Sequence, residues 1–298
     1  MVFILDSLSK ASLFIILISS FISLFLFPSF CSLFSHEYGY LLNLIEFDEA
    51  HKSRQIKNKE NSRYDCILPY EDNIVKLLSS KNIINASWIH HPFRYYFIAT
   101  QGPLPYTIED FWTMCYENKV SVIVMLCNLI ENKYEKCANY WEIKNLKNYE
   151  ITVIKEEKKD GLIIRDFKLF NKEKNDIRNI KQFHLISWVD HAALKKSYSS
   201  QIIKLIELID KNRGRRNAVV HCSAGIGRTG TFLCMYHLYH EIMSQIYQKN
   251  INNEISFCIM NLVRKMKEMR MYSVENENQY EFLYIFVDYL LKNYNVKK

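Results

Sequence analysis

The sequence predicts an α/β fold in which a central mixed, twisted β-sheet is flanked by α-helices. Short apolar runs of strand length alternate with amphipathic stretches of helical period along the chain. The predicted helices cluster in the last third of the chain, which favours a mixed sheet over a regular doubly wound one. The 298 residues are 49% hydrophobic, which is enough for one large core.

The predicted elements follow one another in chain order without an internal repeat. The strands are expected at Val122–Leu126, Tyr149–Lys155, Leu162–Phe170, Lys181–Trp188 and Ala218–His221. The helices are expected at Gln201–Asp210, Thr231–Gln248, Ile255–Arg270 and Asn278–Asn293. Two pieces rich in Asn and Lys, 171–176 and 249–254, are predicted to be surface loops.

One glycine-rich stretch, from His221 to Gly230, lies where a predicted strand meets a predicted helix. Such a turn directs backbone N–H groups and the positive end of the helix dipole at one point, where a phosphate can bind. Arg228 adds a planar fork that matches two phosphate oxygens. The same positive field stabilises the thiolate form of Cys222. The stretch therefore predicts a cysteine nucleophile that faces a bound phosphoryl group.

The same stretch also has Gly225, Gly227 and Gly230 in the G-x-G-x-x-G spacing of dinucleotide-binding enzymes. That alternative requires a second strand after the helix, carrying an acidic residue for the ribose. Here an Asn-rich piece and another helical pattern follow instead. The dinucleotide interpretation also leaves Cys222 and Arg228 without a role, so the phosphate interpretation is preferred.

Several further motifs occur in the order in which they occur in a known family. They are Ser62–Glu71, Ile84–Ile89, Tyr96–Pro105, Asp110–Trp112, Lys136–Trp141, Gln182–His191, His221–Gly230 and Gln279–Tyr280. Together they resemble the classical, tyrosine-specific protein tyrosine phosphatases, from the phosphotyrosine-recognition loop to the glutamine loop. The resemblance extends from about residue 40 to the C-terminus. It implies an α/β fold of the cysteine-phosphatase type.

The resemblance implies hydrolysis of phosphotyrosine in two chemical steps. Cys222 attacks phosphorus, while Arg228 and the loop hold the phosphate oxygens. The loop residues are Ser223, Ala224, Gly225, Ile226 and Gly227. Asp190 protonates the leaving tyrosine oxygen and then acts as a base toward the water of the second step, which Gln279 helps to position. No cofactor or metal is implied.

Supporting roles are implied for four residues. His221 braces Cys222 by hydrogen bonding, and the hydroxyl of Thr229 supports the departing thiolate. Glu131 pairs with Arg228, and Trp188 anchors the loop that carries the acid. From the sequence alone three alternatives stay open, namely a buried core histidine at 221, a solvated charge at 131 and ordinary core packing at 188.

Tyr64 carries the specificity argument. An aromatic wall beside a deep cleft lets a phenyl ring reach the nucleophile, whereas a short phosphoserine or phosphothreonine does not reach it. The partners implied by the resemblance are therefore proteins that contain phosphotyrosine. A lipid phosphatase with the same cysteine chemistry is an alternative, but it would be expected to carry basic residues inside the loop, and residues 223–227 are uncharged.

The sequence departs from the family pattern at four places. Val189 replaces a proline and Ala192–Leu194 replaces a glycine- and proline-containing tail, so slower closure of the acid loop is expected. Glu275 stands where the first glutamine of the glutamine loop is usual, which puts a carboxylate near the phosphate and the hydrolytic water. Cys66 replaces an aspartate that binds the substrate backbone. These changes leave a second hypothesis, a pseudophosphatase that binds phosphotyrosine without turning it over.

The charge and cysteine content of the chain bear on its binding partners and on its redox compartment. The formal net charge of +7 is modest, and nothing in the sequence indicates nucleic-acid binding. Eight cysteines, at positions 31, 66, 115, 127, 137, 222, 234 and 258, include no C-x-x-C pair and no zinc-ligand spacing. They are predicted to be free thiols, and an oxidation-sensitive Cys222 indicates a reducing compartment such as the cytoplasm.

The chain is predicted to consist of an apolar extension, residues 1–39, and a catalytic domain, residues 40–298. Within the extension, residues 11–35 contain no charged residue and are long enough to span a membrane. A signal anchor, a cleaved signal peptide and an apolar extension without a membrane role all stay open. If the segment is an anchor, its N-terminal flank carries one positive charge, Lys10, and its C-terminal flank carries two, Lys52 and Arg54. Because positively charged flanks favour the cytosolic side, this difference favours a catalytic domain that faces the cytosol.

Overall fold

The computed structural model of the protein describes residues 27–46, 48–90, 96–188, 198–248 and 255–294. An eight-stranded sheet forms its centre, in the order β1-β2-β3-β10-β4-β9-β8-β7, and β5 and β6 form a separate hairpin. The strands are β1 Ile74–Lys76, β2 Ile83–Ile89, β3 Phe97–Thr100, β4 Val120–Met125, β5 Ile130–Glu131, β6 Tyr134–Glu135, β7 Tyr149–Lys159, β8 Leu162–Asn171, β9 Asp176–Leu185 and β10 Asn217–His221.

The described helices surround this sheet. They are α1 Phe27–Leu41, α2 Glu49–Ser53, α3 Ile108–Glu117, α4 Tyr198–Arg213, α5 Gly227–Tyr247, α6 Ile259–Met269 and α7 Glu277–Asn293. A π-helical turn, Leu42–Glu46, follows α1, and a short 3₁₀ turn, Pro105–Thr107, precedes α3.

The sheet is mixed, which confirms the predicted fold class. The four central strands, β3, β10, β4 and β9, run parallel to one another, while the strands outside them pair antiparallel. Parallel strands end at the same edge of a sheet, so the segments that follow β3, β10, β4 and β9 meet there. This edge is where the predicted site residues gather.

Helices cover both faces of the sheet. The register of the strands places Phe97 on one face and Phe167 on the other. Tyr236 of α5 packs edge-on against Phe97, with ring centroids 4.9 Å apart. Trp112 of α3 packs edge-on against Phe167, with centroids 5.7 Å apart. The central strands are therefore buried on both sides, which explains their continuous apolar runs.

Most of the predicted elements differ from the observed ones by a few residues in their bounds; helix α6, for example, begins at Ile259 instead of at residue 255. Helix α5 begins at Gly227 instead of at residue 231, because the last residues of the glycine-rich loop already form its first turn. Strand β9 runs Asp176–Leu185 instead of 181–188, because its first half pairs with β8 as a hairpin. In the described part of the chain no strand follows β10, in agreement with the rejection of the dinucleotide alternative.

The N-terminal helix α1 is built into the fold. The carboxylate of Glu37 accepts hydrogen bonds from the hydroxyls of Tyr280 and Tyr284 on α7, at 2.7 and 2.5 Å. Phe34, Tyr38 and Leu41 are buried in the core. The predicted boundary between residues 39 and 40 falls inside α1, and the division into extension and domain stays a prediction.

The predicted apolar segment 11–35 is only partly described. Residues 11–26 lie outside the described residues, and residues 27–35 form the first part of α1. Among the helices of the described ranges, none has the length and hydropathy needed to cross a bilayer.

Burial of α1 yields a first prediction. Leu41 is 0% exposed whereas its neighbour Tyr40 is 55% exposed. Replacing Leu41 by Ala removes a fully packed side chain and leaves a cavity, which is expected to lower the free energy of unfolding by about 2–5 kcal/mol. Urea denaturation measures the change. Tyr40→Ala is the matched control and is expected to lie within about 0.5 kcal/mol of the wild type; equal effects of the two changes would contradict the packing of α1.

Candidate active site

The glycine-rich loop joins the central strand β10 to helix α5. Cys222 follows the last residue of β10, and Ile226 precedes the first residue of α5. The first turn of a helix has backbone N–H groups without intrahelical partners, and these carry the positive end of the helix dipole. The loop therefore combines a buried thiol with an anion-attracting helix start, as the sequence predicts.

Four consecutive carbonyl groups of this loop are engaged from outside it. The Cys222 carbonyl contacts Nδ1 of His221 at 3.2 Å, and the Ser223 carbonyl accepts the N–H of Gly102 at 2.8 Å. The carbonyls of Ala224 and Gly225 accept hydrogen bonds from the guanidinium of Arg270, at 3.1 and 2.7 Å.

These contacts decide where the amide groups of the loop point. In a trans peptide the N–H of one residue lies opposite the carbonyl of the residue before it. With the carbonyls of residues 222–225 turned outward, the N–H groups of residues 223–226 face the inside of the loop. Successive N–H groups on the concave side of a turn form an anion-binding nest.

Two glycines of the loop lie in tight surroundings. Gly225 has φ +73°, and a Cβ at this position would collide with the carbonyl of Thr100. A Cβ on Gly227 would lie 2.5 Å from a carboxylate oxygen of Glu275 and 2.9 Å from the amide nitrogen of Gln279. Position 225 requires glycine, because its backbone is left-handed and the colliding atoms belong to the backbone of Thr100, whereas at 227 the close atoms are the ends of two flexible side chains.

Arg270 was not singled out from the sequence, although it shapes the loop. Its guanidinium is buried and also donates to Oδ1 of Asn85 at 2.8 Å and to Oγ of Ser87 at 3.1 Å. Burial lowers the pKa of Arg270 to about 10, so the group stays charged at neutral pH. The residue follows the last turn of α6, and no local pattern distinguishes it from a surface arginine; only the fold shows its partners.

Arg228 is held by a bidentate ion pair. Its two terminal nitrogens donate to the two carboxylate oxygens of Glu131, at 2.8 and 2.9 Å, and one of them also donates to the carbonyl of Trp188 at 3.0 Å. Glu131 is only 8% exposed, so it is not a solvated surface charge. A fork-to-fork pair of this kind fixes the plane of the guanidinium.

His221 lies in a buried chain of hydrogen bonds. The amide of Gln182 donates to the hydroxyl of Tyr140 at 2.6 Å, and that hydroxyl lies 2.9 Å from Nε2 of His221. Because Tyr140 accepts from Gln182, we assign its own proton to His221 Nε2, which leaves Nδ1–H to donate to the Cys222 carbonyl. Burial lowers the pKa of His221 to about 3. A neutral, oriented imidazole therefore braces the backbone of Cys222.

Tyr64 stands at the edge of the loop. Its hydroxyl lies 3.1 Å from Oγ of Ser223, and the residue is 37% exposed. The preceding Arg63 anchors this segment by donating to the carbonyls of Gly102 and Pro103, at 3.2 and 2.7 Å. The structure thus brings the predicted recognition tyrosine next to the predicted phosphate loop.

Gln279 and Glu275 lie above the start of α5. The side-chain oxygen of Gln279 accepts the N–H of Glu275 at 2.9 Å and the hydroxyl of Thr231 at 3.3 Å. Both atoms of the Gln279 amide lie close to Gly227, where a Cβ would be 2.9 Å from the nitrogen and 3.2 Å from the oxygen. Glu275 reaches the same glycine, so the unusual carboxylate lies next to the loop.

The remaining predicted residues divide into described and undescribed ones. The buried hydroxyl of Thr229 has no hydrogen-bond partner among the described residues. Trp188 is buried and is the last described residue before the predicted acid loop. Val189, Asp190 and Ala192–Leu194 lie outside the described residues, so the place of the acid stays a prediction. Cys66, which replaces the usual aspartate, is exposed.

The described part of the chain holds no group of three His, Cys, Asp or Glu side chains that could bind a metal ion. The seven cysteines from Cys66 to Cys258 are free thiols. The described part of the site contains the thiol of Cys222, two buried arginines, backbone amides and the carboxylate of Glu131, which orients Arg228.

Comparison with known proteins gives one consistent result. The family model described as Protein-tyrosine phosphatase matches residues 58–289. Tyrosine-protein phosphatase non-receptor type 20 is 34% identical in Rattus norvegicus over 86% of this chain and 60% of that protein. The Homo sapiens protein is 38% identical over 80% of this chain and 56% of its own length. The chain thus spans less than two thirds of the curated relatives that it matches.

Solved structures show the same similarity. The catalytic domain of human protein tyrosine phosphatase non-receptor type 18 superposes with a TM-score of 0.75 at 28% identity, over 88% of this chain and 97% of that one. A structure of PTPN18 in complex with HER2 phosphopeptides also has a TM-score of 0.75, at 27% identity, and covers 86% of this chain and 92% of that one.

The role of Arg270 can be tested with an inorganic anion. Arg270→Lys keeps the charge but loses the fork that holds two loop carbonyls, so the amide nest is expected to loosen. Calorimetric titration with tungstate should show an affinity about tenfold lower than that of the wild type. Arg264→Lys, on an arginine that pairs with Glu268 at the surface of α6, is the matched control. An unchanged tungstate affinity in Arg270→Lys would remove Arg270 from the shaping of the loop.

Two buried imidazoles predict a loss of stability in acid. Burial lowers the pKa of His184 to about 4, and Arg165 acts in the same direction; the pKa of His221 lies at about 3. Below about pH 6.5 the unfolded chain binds protons at these two histidines while the folded chain does not. The free energy of unfolding is therefore expected to fall as the pH decreases from 6.5 toward 4, by about 1.4 kcal/mol per unit for each histidine.

Urea denaturation at pH 7 and pH 4 measures this effect. His184→Gln removes one of the two groups, so its loss of stability between these pH values is expected to be about 2–3 kcal/mol smaller than that of the wild type. Replacing the exposed His90 by Gln is the control and should leave the difference unchanged. If the free energy of unfolding of His184→Gln fell between pH 7 and pH 4 by as much as that of the wild type, His184 would have to be protonated in the folded state at pH 4.

Proposed function

The chain belongs to the protein-tyrosine phosphatase family, as one of its classical members, and on this premise we propose that it hydrolyses phosphotyrosine in proteins through a cysteinyl-phosphate intermediate. The observation that carries the proposal is the loop of residues 222–228, whose outward carbonyls leave four amides facing the position of a phosphate. A buried thiol and a fixed guanidinium stand at its two ends.

In the first step the thiolate of Cys222 forms a bond to phosphorus while the bond from phosphorus to the tyrosine oxygen breaks. The loop amides and Arg228 hold the three oxygens on which charge is spread in the transition state. Glu131 supports this by fixing the plane of the guanidinium. Asp190 gives its proton to the leaving oxygen, which a phenol with a pKa of about 10 requires.

In the second step a water oxygen attacks phosphorus and the bond from sulfur to phosphorus breaks. Asp190, now a carboxylate, takes the proton of the water, and the thiolate of Cys222 returns. The position of the Gln279 amide beside Gly227 supports a role in placing this water. The buried hydroxyl of Thr229 would be available to the departing thiolate.

Phosphotyrosine is the proposed substrate because Tyr64 stands beside Ser223 at the loop. A ring at this place supports a cleft deep enough for a phenyl phosphate. The complex of the related PTPN18 with HER2 phosphopeptides supports phosphotyrosine proteins as the partner class. The free thiols of the described residues support work in a reducing compartment such as the cytoplasm. The catalytic domain at residues 40–298 and the membrane anchor at residues 11–35 stay predictions, and of the anchor segment Phe34 packs in the core of the fold.

Hydrolysis of p-nitrophenyl phosphate and of a phosphotyrosine peptide tests the proposal. Cys222→Ser is expected to abolish release of phosphate from both, because it removes the nucleophile. Asp190→Asn is expected to lower kcat on the peptide by about 10²–10⁴-fold, and less on p-nitrophenyl phosphate, which has a better leaving group. Cys258→Ser, at an exposed thiol, is the matched control.

Two outcomes would overturn the assignment. Wild-type release no faster than that of Cys222→Ser would leave a phosphotyrosine-binding protein without turnover. Faster hydrolysis of phosphoserine peptides or phosphoinositides than of phosphotyrosine peptides would reject the substrate class while leaving the cysteine chemistry in place.

A further inference from the structure

Val274 has a strained backbone beside the proposed site. Its φ is +58°, a left-handed conformation that β-branched residues rarely adopt. The residue is fully buried and comes immediately before Glu275. Strained conformations of this kind persist only where the surrounding structure holds them, and they concentrate at functional sites.

Three hydrogen bonds hold the backbone of Val274. Its carbonyl accepts the hydroxyl of Tyr38 at 3.0 Å and the amine of Lys267 at 3.2 Å. Its N–H donates to the carbonyl of Ile226, the loop residue that precedes α5, at 3.3 Å. Tyr38 belongs to α1 and Lys267 to α6, so two distant segments of the chain meet at this one carbonyl.

Lys267 is an unusual buried charge. Its side chain is 0% exposed and is paired with the carboxylate of Glu46, from the π-helical turn that follows α1. Burial lowers the pKa of Lys267, and the charge of Glu46 opposes this change. The amine also lies 5.3 Å from the centre of the Tyr38 ring. A buried amine needs such a partner to remain charged, so Glu46 favours Lys267 as a charged donor to the carbonyl of Val274.

The conformation of Val274 fixes the position of Gln279. The N–H of Glu275, the next residue, donates to the side-chain oxygen of Gln279 and so holds the side-chain amide beside Gly227. The backbone nitrogen of Val274 is also packed against Gly230, where a Cβ would approach it to 2.9 Å. A rotation of the Val274 backbone would therefore move Glu275 and release the amide of Gln279.

We propose that Tyr38, Lys267 and Glu46 are positioning residues, which hold Val274 in its strained conformation and thereby place Gln279 for hydrolysis of the cysteinyl phosphate. This inference rests on the proposed function. It makes α1 and the π-helical turn part of the catalytic unit, although they precede every motif of the site. Formation of the cysteinyl phosphate, which depends on Cys222 and Arg228, should depend much less on this arrangement.

Rapid-quench kinetics with p-nitrophenyl phosphate separate the two chemical steps. Tyr38→Phe and Lys267→Met remove one donor each from the Val274 carbonyl. We expect both variants to hydrolyse the cysteinyl phosphate about tenfold more slowly, with a burst approaching one p-nitrophenol per enzyme, while phosphorylation of Cys222 changes by less than about threefold. The matched controls are Tyr239→Phe and Lys292→Met, which remove a hydroxyl bound to Glu207 and an amine bound to Asp288.

A rescue variant separates positioning from general stability. Glycine adopts a positive φ without strain, so Val274→Gly no longer needs the two donors to its carbonyl. Adding Val274→Gly to Lys267→Met is expected to restore hydrolysis toward the rate of Val274→Gly alone. If Lys267 merely stabilised the fold, the second change would remove another buried side chain and lower the rate further, which would contradict the proposal.

Amide hydrogen exchange gives a readout that does not need activity. The segment 271–276 is expected to exchange about tenfold faster in Tyr38→Phe and Lys267→Met than in the wild type, while the β8–β9 hairpin keeps its rate. Variants that match their controls in both exchange and hydrolysis would overturn the positioning role. A wild-type protein without turnover would instead refute the proposed function, and the exchange of residues 271–276 alone would then decide whether Tyr38 and Lys267 hold the segment.

Discussion

The site depends on the direction of four peptide planes. Each carbonyl from Cys222 to Gly225 has a partner outside the loop, and a planar trans peptide then leaves its N–H no direction but inward. Arg270 provides two of these contacts from a buried position, where its guanidinium binds the carbonyls of Ala224 and Gly225. An arginine fork serves this better than a lysine, because two carbonyls must be held at once and in fixed directions.

The two buried arginines of the site have different tasks. Arg228 faces the loop and is oriented by Glu131, whereas Arg270 lies behind it and is surrounded by oxygen acceptors. Burying an unpaired guanidinium is very costly, so each needs its complete set of partners. The same reasoning applies to Val274, whose backbone strain of about 1–3 kcal/mol is comparable with two or three hydrogen bonds of about 1 kcal/mol each.

Two departures from the family pattern, Glu275 and Cys66, lie among the described residues, and they have different surroundings. Glu275 lies against Gly227, so its carboxylate is close enough to influence a bound phosphate, while its backbone N–H still binds Gln279. Cys66 is exposed in the recognition segment, where the family usually has an aspartate. The carboxylate of that aspartate is therefore missing from this surface. The loop of residues 222–228 keeps the residues that the family resemblance implies. In the proposed mechanism, Glu275 would therefore bear on the second step and Cys66 on the peptide, while the loop itself is unchanged.

The sequence by itself determined the mixed α/β class, the strand-loop-helix around Cys222 and the candidate residues of the loop, because periodicity and motif spacing are local properties of the chain. It misplaced the start of α5, since glycine and threonine in the first turn gave no helical period. The resemblance implied that Glu131 pairs with Arg228 but left a solvated charge open, and the tertiary structure decided for the pair. Only the tertiary structure showed that Arg270 binds loop carbonyls and that Tyr38 and Lys267 meet at the carbonyl of Val274. Which donor meets a given backbone carbonyl depends on how distant segments pack, and no local pattern records that.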